Sequence, residues 1–230
     1  MSLDLCDILR KLEAHFGPRH WWPAVGVQEP ARAEPFEMIA GAILVQNVAW
    51  SNAEKALLAL KAAGLLEPAA MHAAPEEALY GLIRPTGYFR QKARKLKGFV
   101  AHLYERYGGD LGAMLRRPVG ELRAELLGMS GIGPETCDCI LCYAAGYPVM
   151  PMDAYTRRIF SRLGLFEPTV TYGEMQAYFH QRLPADAALM NEYHAQIDTL
   201  GHRVCLKQRP RCSACPLASL CPKWGVAEPA

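Results

Sequence analysis

Apolar residues recur at helical spacing through most of the chain, and no segment alternates with the period of two that a half-buried strand requires. The pattern predicts an all-α protein. Residues 2–16 put Leu5, Ile8, Leu9, Leu12 and Phe16 on one face, with Ser2 as the expected cap and Gly17 as the stop. Pro35 to Val45 is apolar nearly all round, through Phe36, Ile39, Ile43 and Leu44, which marks a helix central to the fold. Ser51-Asn52-Ala53-Glu54 reads as a capping box opening a helix that Gly64 closes. Further helices are expected over residues 75–83, 88–107 and 119–127, then near 154–163, 172–183 and 186–202. The remainder is a loop that cannot pack as a core.

Between residues 119 and 155 the pattern is interrupted in an informative way. The helix ending at Leu127 is stopped by Gly128, and Ser130-Gly131-Ile132-Gly133 forms a tight turn. Pro134 suits a first helical position, and Glu135 falls in the first turn, where the helix dipole favours an anion. The second helix then runs to about Gly146. Glycines either side of one apolar residue let the backbone adopt positive φ and approach a ligand closely, and outward N–H groups suit a phosphate. An ordinary helix-turn-helix connection is the plainer alternative. Beyond it, Gly146-Tyr147-Pro148-Val149-Met150-Pro151-Met152 leads to Asp153, placed to cap the next helix, whose Arg157, Arg158 and Arg162 would suit that job equally well.

Composition adds little by itself. With 230 residues, 51% hydrophobic and 21% charged, the chain reads as globular, with room for one large domain or two small ones. No apolar run approaches the roughly 18 residues that span a bilayer, and the N-terminus reads as an amphipathic helix start instead of a signal peptide. A cytoplasmic, nucleoid-associated protein with no membrane partner is expected. The formal charge of +2 does not announce a nucleic-acid binder, but its distribution is uneven. Arg84, Arg90, Lys92, Arg94, Lys95 and Lys97 lie in one acid-free run, either a solvated helix face or a phosphate-contacting one. Trp21 and Trp22 are adjacent and cannot both face the same core, so at least one is a candidate to meet a ligand.

Four of the 8 cysteines fall at Cys205, Cys212, Cys215 and Cys221, with gaps of six, two and five residues. In an intracellular chain such a group is a metal site before it is a disulfide framework. Four thiolates suit zinc or an iron–sulfur cluster equally. A bound centre would pin a loop whose Lys207, Arg209 and Arg211 otherwise repel one another, and would turn them toward a phosphate backbone. Cys137, Cys139 and Cys142 lie in one helix and read as core.

The hairpin, the Gly/Pro-rich loop ending in Asp153 and the cysteine spacing together resemble the endonuclease III superfamily of DNA glycosylases. The resemblance covers nearly the whole chain. It implies a two-domain helix-hairpin-helix glycosylase fold: a six-helix barrel over residues 32–147, and a cluster domain made of 1–31 and 148–230. Double-stranded DNA containing a damaged base would be the partner, bound by a monomer in the cleft between the domains. The resemblance also implies a [4Fe–4S] cluster on Cys205, Cys212, Cys215 and Cys221, and catalysis by Asp153. Gln46 would fill the gap left by the extruded nucleotide, with Tyr88 as the wedge in the opposite strand. Lys92, Gly131, Gly133, Lys207, Arg209 and Arg211 would contact DNA.

Bifunctional members carry a lysine nucleophile where this chain has Glu135. A carboxylate forms no imine, so a monofunctional base-excision enzyme is expected. Trp21, Trp22 and Trp50, with Gln46-Asn47, look like the bacterial 3-methyladenine branch, in which aromatic rings sandwich an electron-poor alkylpurine. The alternatives are an endonuclease III-type enzyme for oxidised pyrimidines, with weak or no lyase activity, and a non-catalytic DNA-binding relative.

Overall fold

The computed structural model describes residues 3–27 and 32–226. Twelve α-helices follow in chain order among them: α1 Leu5–Phe16, α2 Pro35–Leu44, α3 Trp50–Ala62, α4 Pro68–Ala73, α5 Glu77–Ile83, α6 Phe89–Tyr107, α7 Leu111–Leu115, α8 Val119–Leu127, α9 Pro134–Cys139, α10 Ala154–Arg162, α11 Tyr172–His180 and α12 Ala187–Arg203. The fold is all-helical, and one isolated antiparallel bridge, Pro23 to Arg32, is the sole extended pairing among the described residues. No helix among them is long and apolar enough to cross a membrane. The chain divides into two compact units, Trp22–Tyr147 and the residues up to Trp21 with those from Pro148 onward.

In the first unit α2 is enclosed: Phe36 and every residue from Met38 to Leu44 are buried. It packs on α3, α6, α9 and the π-helical turn Ile140–Ala144 that continues α9. Gly41 makes room for Trp22, because a Cβ there would lie 2.5 Å from the ring. That contact draws the chain into this unit from Trp22, well before residue 32. The expected capping box at Ser51 is not used. α3 starts at Trp50 with Ala49 as cap and no side-chain cap bond, and the Trp50 ring stands edge-on to Trp22 at 5.1 Å. Ring packing outweighs the local signal. Helices α4 and α7 are too short to show a period; α7 is marked by Asp110, whose carboxylate accepts from Ala113 N at 2.8 Å.

In the second unit α1 is capped by Asp4, which accepts from Cys6 N at 2.9 Å; Ser2 lies outside the described residues. Helix α12 packs on α1 and α10. Gly201 lets α10 approach, since a Cβ there would meet Tyr155 at 2.5 Å. Tyr193, fully buried, donates to Leu5 O at 3.0 Å. The segment after Arg203 is a loop with one 3-10 turn, Cys212–Ala214. It does contribute to the core, against expectation, because Leu217 is buried.

Candidate active site and DNA-contacting elements

The hairpin is held from behind. Asp138, completely buried in α9, accepts from Arg123 Nε of α8 at 3.0 Å, an ion pair that clamps the two helices together. Ile132 is the buried anchor of the turn, and the glycines beside it are exposed. They differ in kind. Gly131 has φ +88°, and a Cβ there would sit 2.4 Å from Lys95 Cε, whereas Gly133 is extended, with nothing within 4 Å of a Cβ. Glu135 is exposed in the first turn of α9.

Gln46 is tied to this turn. Its Nε2 donates to Gly131 O at 3.1 Å and to Thr136 Oγ1 at 2.8 Å, and its Oε1 accepts from Lys95 Nζ. Tyr88 is 75% exposed, in the left-handed region at φ +42°. Lys92 departs from expectation. It is 3% exposed, and its ammonium donates to Leu44 O at 2.8 Å and Thr86 O at 2.7 Å, so it is an interior brace and presents nothing to a phosphate. Burial, then the neighbouring charge of Lys95, brings its pKa down to about 8.

The three tryptophans are not equivalent. Trp22 is 3% exposed and packed edge-on against Trp50 and Tyr143, so it forms core wall, while Trp21 and Trp50 are half-buried. Sequence reasoning missed Glu37, a buried carboxylate that accepts from Val25 N at 2.6 Å and faces Lys61 at 3.7 Å. It fixes the loop that carries Trp22.

Asp153 caps α10. Oδ1 accepts from Thr156 N at 2.6 Å and from Thr156 Oγ1 at 2.7 Å. Oδ2 lies 3.7 Å from His194 Nε2, both side chains being nearly buried. One turn along α12 from His194, Asp198 has its pKa raised by burial and by the charge of Asp153, against the pull of His194, His202 and Arg19. His194 and Asp198 carried no sequence signal beyond a spacing of four on an apolar helix.

Cys205, Cys212, Cys215 and Cys221 line one small cavity of about 30 Å³ together with Arg162 and Arg211. Among the described residues no three His, Cys, Asp or Glu are grouped as one metal ion requires. Arg162, buried, organises the loop: Nη1 donates to Leu206 O at 2.7 Å and Cys205 Sγ at 3.2 Å, and Nη2 to Lys207 O at 3.1 Å. Lys207, Arg209 and Arg211 are exposed around it. Cys137 and Cys142 are buried in the core, where desolvation pushes each thiol up to about 12, and Cys139 is half-buried.

The chain is similar to known proteins over most of its length. Over 215 residues, 93% of this chain and 94% of the relative, it is 37% identical to "Putative DNA repair glycosylase MJ1434" of Methanocaldococcus jannaschii. It is 30% identical to endonuclease III of Thermotoga maritima over 188 residues, 82% of this chain and 83% of that one. The Helicobacter pylori 3-methyladenine DNA glycosylase MagIII, solved with 1,N6-ethenoadenine, matches with a TM-score of 0.72 at 26% identity, covering 86% of this chain and 97% of the other. The fold of an endonuclease III–DNA covalent intermediate matches with a TM-score of 0.78 at 24% identity, over 96% of this chain and 97% of the other. Residues 40–185 match the HhH-GPD superfamily base excision DNA repair protein family. The chain belongs to the HhH-GPD superfamily and is a DNA N-glycosylase.

Proposed function

We propose that this glycosylase is monofunctional and hydrolyses the N-glycosidic bond of an alkylated purine extruded from duplex DNA. The observation that carries the reading is the exposed carboxylate of Glu135, at the position that the motif resemblance assigns to the lysine nucleophile of bifunctional members. A carboxylate forms no Schiff base, which leaves water as the nucleophile. The base departs with the electrons of the C1′–N bond. A purine alkylated at N3 or N7 carries a positive charge and leaves as a neutral molecule, so little general-acid help is needed. Asp153, with Oδ1 fixed by Thr156, offers Oδ2 to the oxocarbenium-like sugar. Water then adds at C1′, and its proton passes to the carboxylate or to solvent.

The lesion class is supported by the half-buried Trp50 ring, whose electron-rich face favours an electron-poor base. MagIII, solved with an ethenopurine, is similar over most of its length. The likeness to Thermotoga endonuclease III favours a second reading, excision of oxidised pyrimidines. A base-release assay on duplexes carrying a methylated purine, an oxidised pyrimidine or an abasic site separates them. Release of the methylated purine without strand cleavage is expected; release of the oxidised pyrimidine alone would replace the first reading with the second.

The donor set fits a [4Fe–4S] cluster. Four cysteines line one cavity, and a cubane's four iron corners would each take one thiolate. Cys205, Cys212, Cys215 and Cys221 would hold it, and Arg162 would donate to the Cys205 sulfur. Bound there, the cluster supplies a rigid cross-link of the loop that presents Lys207, Arg209 and Arg211.

A further inference from the structure

A buried ammonium in the first turns of a helix is unfavourable three times over. Lys92 is desolvated, lies close to Lys95, and sits near the positive end of the α6 dipole. The compensation lies in where its two hydrogen bonds go. Leu44 O belongs to the end of α2, where carbonyls have no helical partner, and Thr86 O is the last carbonyl of the 3-10 turn Arg84–Thr86. Each carbonyl lies just before a loop that contains left-handed residues. One loop carries Gln46 and Asn47, the latter at φ +58°; the other carries Gly87 at φ +61° and Tyr88 at φ +42°. A tyrosine in that region is held there only if its neighbours are fixed. The Tyr88 side chain, 75% exposed, is thereby aimed into solvent.

We propose that Lys92 is a positioning residue for base extrusion: a single ammonium ties together the bases of the two loops that enter the duplex, setting the spacing of Gln46 and Tyr88. The inference rests on the reading of these two side chains as the inserting pair. Lys92 touches no substrate. Its effect is to hold the loops at their working separation before DNA arrives, so that binding energy is not spent on ordering them.

The test uses Lys92→Met, which keeps the apolar stem and removes the donors, on a duplex with 2-aminopurine beside the lesion. A second duplex places the same lesion opposite an abasic site, where extrusion costs little. In the variant, affinity for undamaged duplex should stay within about threefold, since hairpin phosphate contacts are untouched. Extrusion fluorescence and single-turnover excision on the paired lesion should fall roughly tenfold or more, because unstacking costs a few kcal/mol. Excision opposite the abasic site should return to near the native rate. Equal loss on both duplexes would mean that Lys92 only supports the fold, and native extrusion would mean that it sets nothing; either overturns the proposal. Should Lys92→Met fold poorly, Lys92→Gln keeps donors on a shorter stem and should show the same substrate dependence to a lesser degree. Extrusion is read separately from chemistry, so a native protein that extrudes without excising would instead refute the glycosidic mechanism.

Discussion

Asp153 and Thr156 are joined twice, Oδ1 of the aspartate accepting both the backbone N–H and the hydroxyl of the threonine, at 2.6 and 2.7 Å. One carboxylate oxygen therefore belongs to the helix cap, while the other, 3.7 Å from His194 Nε2, is the one the proposed mechanism assigns to the chemistry. Asp153→Asn can keep the cap by presenting its amide oxygen to Thr156, and it loses only the charge. Binding should persist while excision falls on the order of a hundredfold or more, as for loss of roughly 3 kcal/mol of electrostatic stabilisation. Asp153→Ala should also lower stability by about 1 kcal/mol through the lost cap. Single-turnover rates and melting temperatures check both. An Asp153→Asn variant excising at the native rate would reduce the residue to a cap.

Glu135 gives a complementary outcome. Borohydride treatment of native protein on abasic DNA should trap no covalent adduct, since an imine needs an amine. Glu135 is exposed in a helical first turn, a site where lysine is tolerated apart from a small dipole cost. Glu135→Lys should fold and gain trapping and strand nicking. Efficient trapping by native protein would identify another amine as nucleophile and end the monofunctional reading.

The two hairpin glycines should behave differently. Gly131→Ala forces a side chain into φ +88° and onto Lys95, which itself bonds Gln46, so both stability and DNA affinity should drop. Gly133→Ala has no such conflict in the protein, because its Cβ points into open space. It should keep its melting temperature and lose affinity by obstructing the close approach of a phosphate. Neither should change which base is chosen, as backbone contacts carry no base information. A shift in lesion preference at native affinity would show that the turn is not an anchor.

Much of this was legible because periodicity and punctuation report local structure directly. The helices at 35–44, 89–107 and 154–162, the hairpin turn and the Asp153 cap follow from apolar spacing, glycine and capping chemistry. Lys92 was misread because a run of like charges suggests a solvated face. Yet 92, 96, 99 and 103 lie on one helical stripe with Leu96, Phe99 and Leu103, so its register pointed inward. The Arg123–Asp138 clamp, the Glu37 brace and the Gln46 bond to Gly131 stayed hidden for another reason. Each joins residues far apart in the chain, and pairing across elements leaves no periodic trace. Trp22 and Trp50 were visible as aromatic, but which ring lies inside depends on the single space left by Gly41.

The cysteine loop offers the most direct chemical check. Its path is already shaped by protein groups: Arg162 holds the carbonyls of Leu206 and Lys207 and the sulfur of Cys205, while the Cys221 thiol donates to Arg162 O at 3.2 Å. Cys205 and Cys221 are thus anchored to α10, whereas the 3-10 turn Cys212–Ala214 shows no side-chain cap bond. Protein prepared without oxygen should be brown and contain iron and acid-labile sulfide in equal amounts. Cys212→Ser should lower soluble yield and melting temperature before it alters the excision rate of the surviving folded fraction, because the ligand secures the loop and takes no part in the glycosidic step. Full occupancy by zinc without iron would assign the four thiols to a different centre. A Cys212→Ser protein with native iron content and native melting temperature would remove that cysteine from the ligand set.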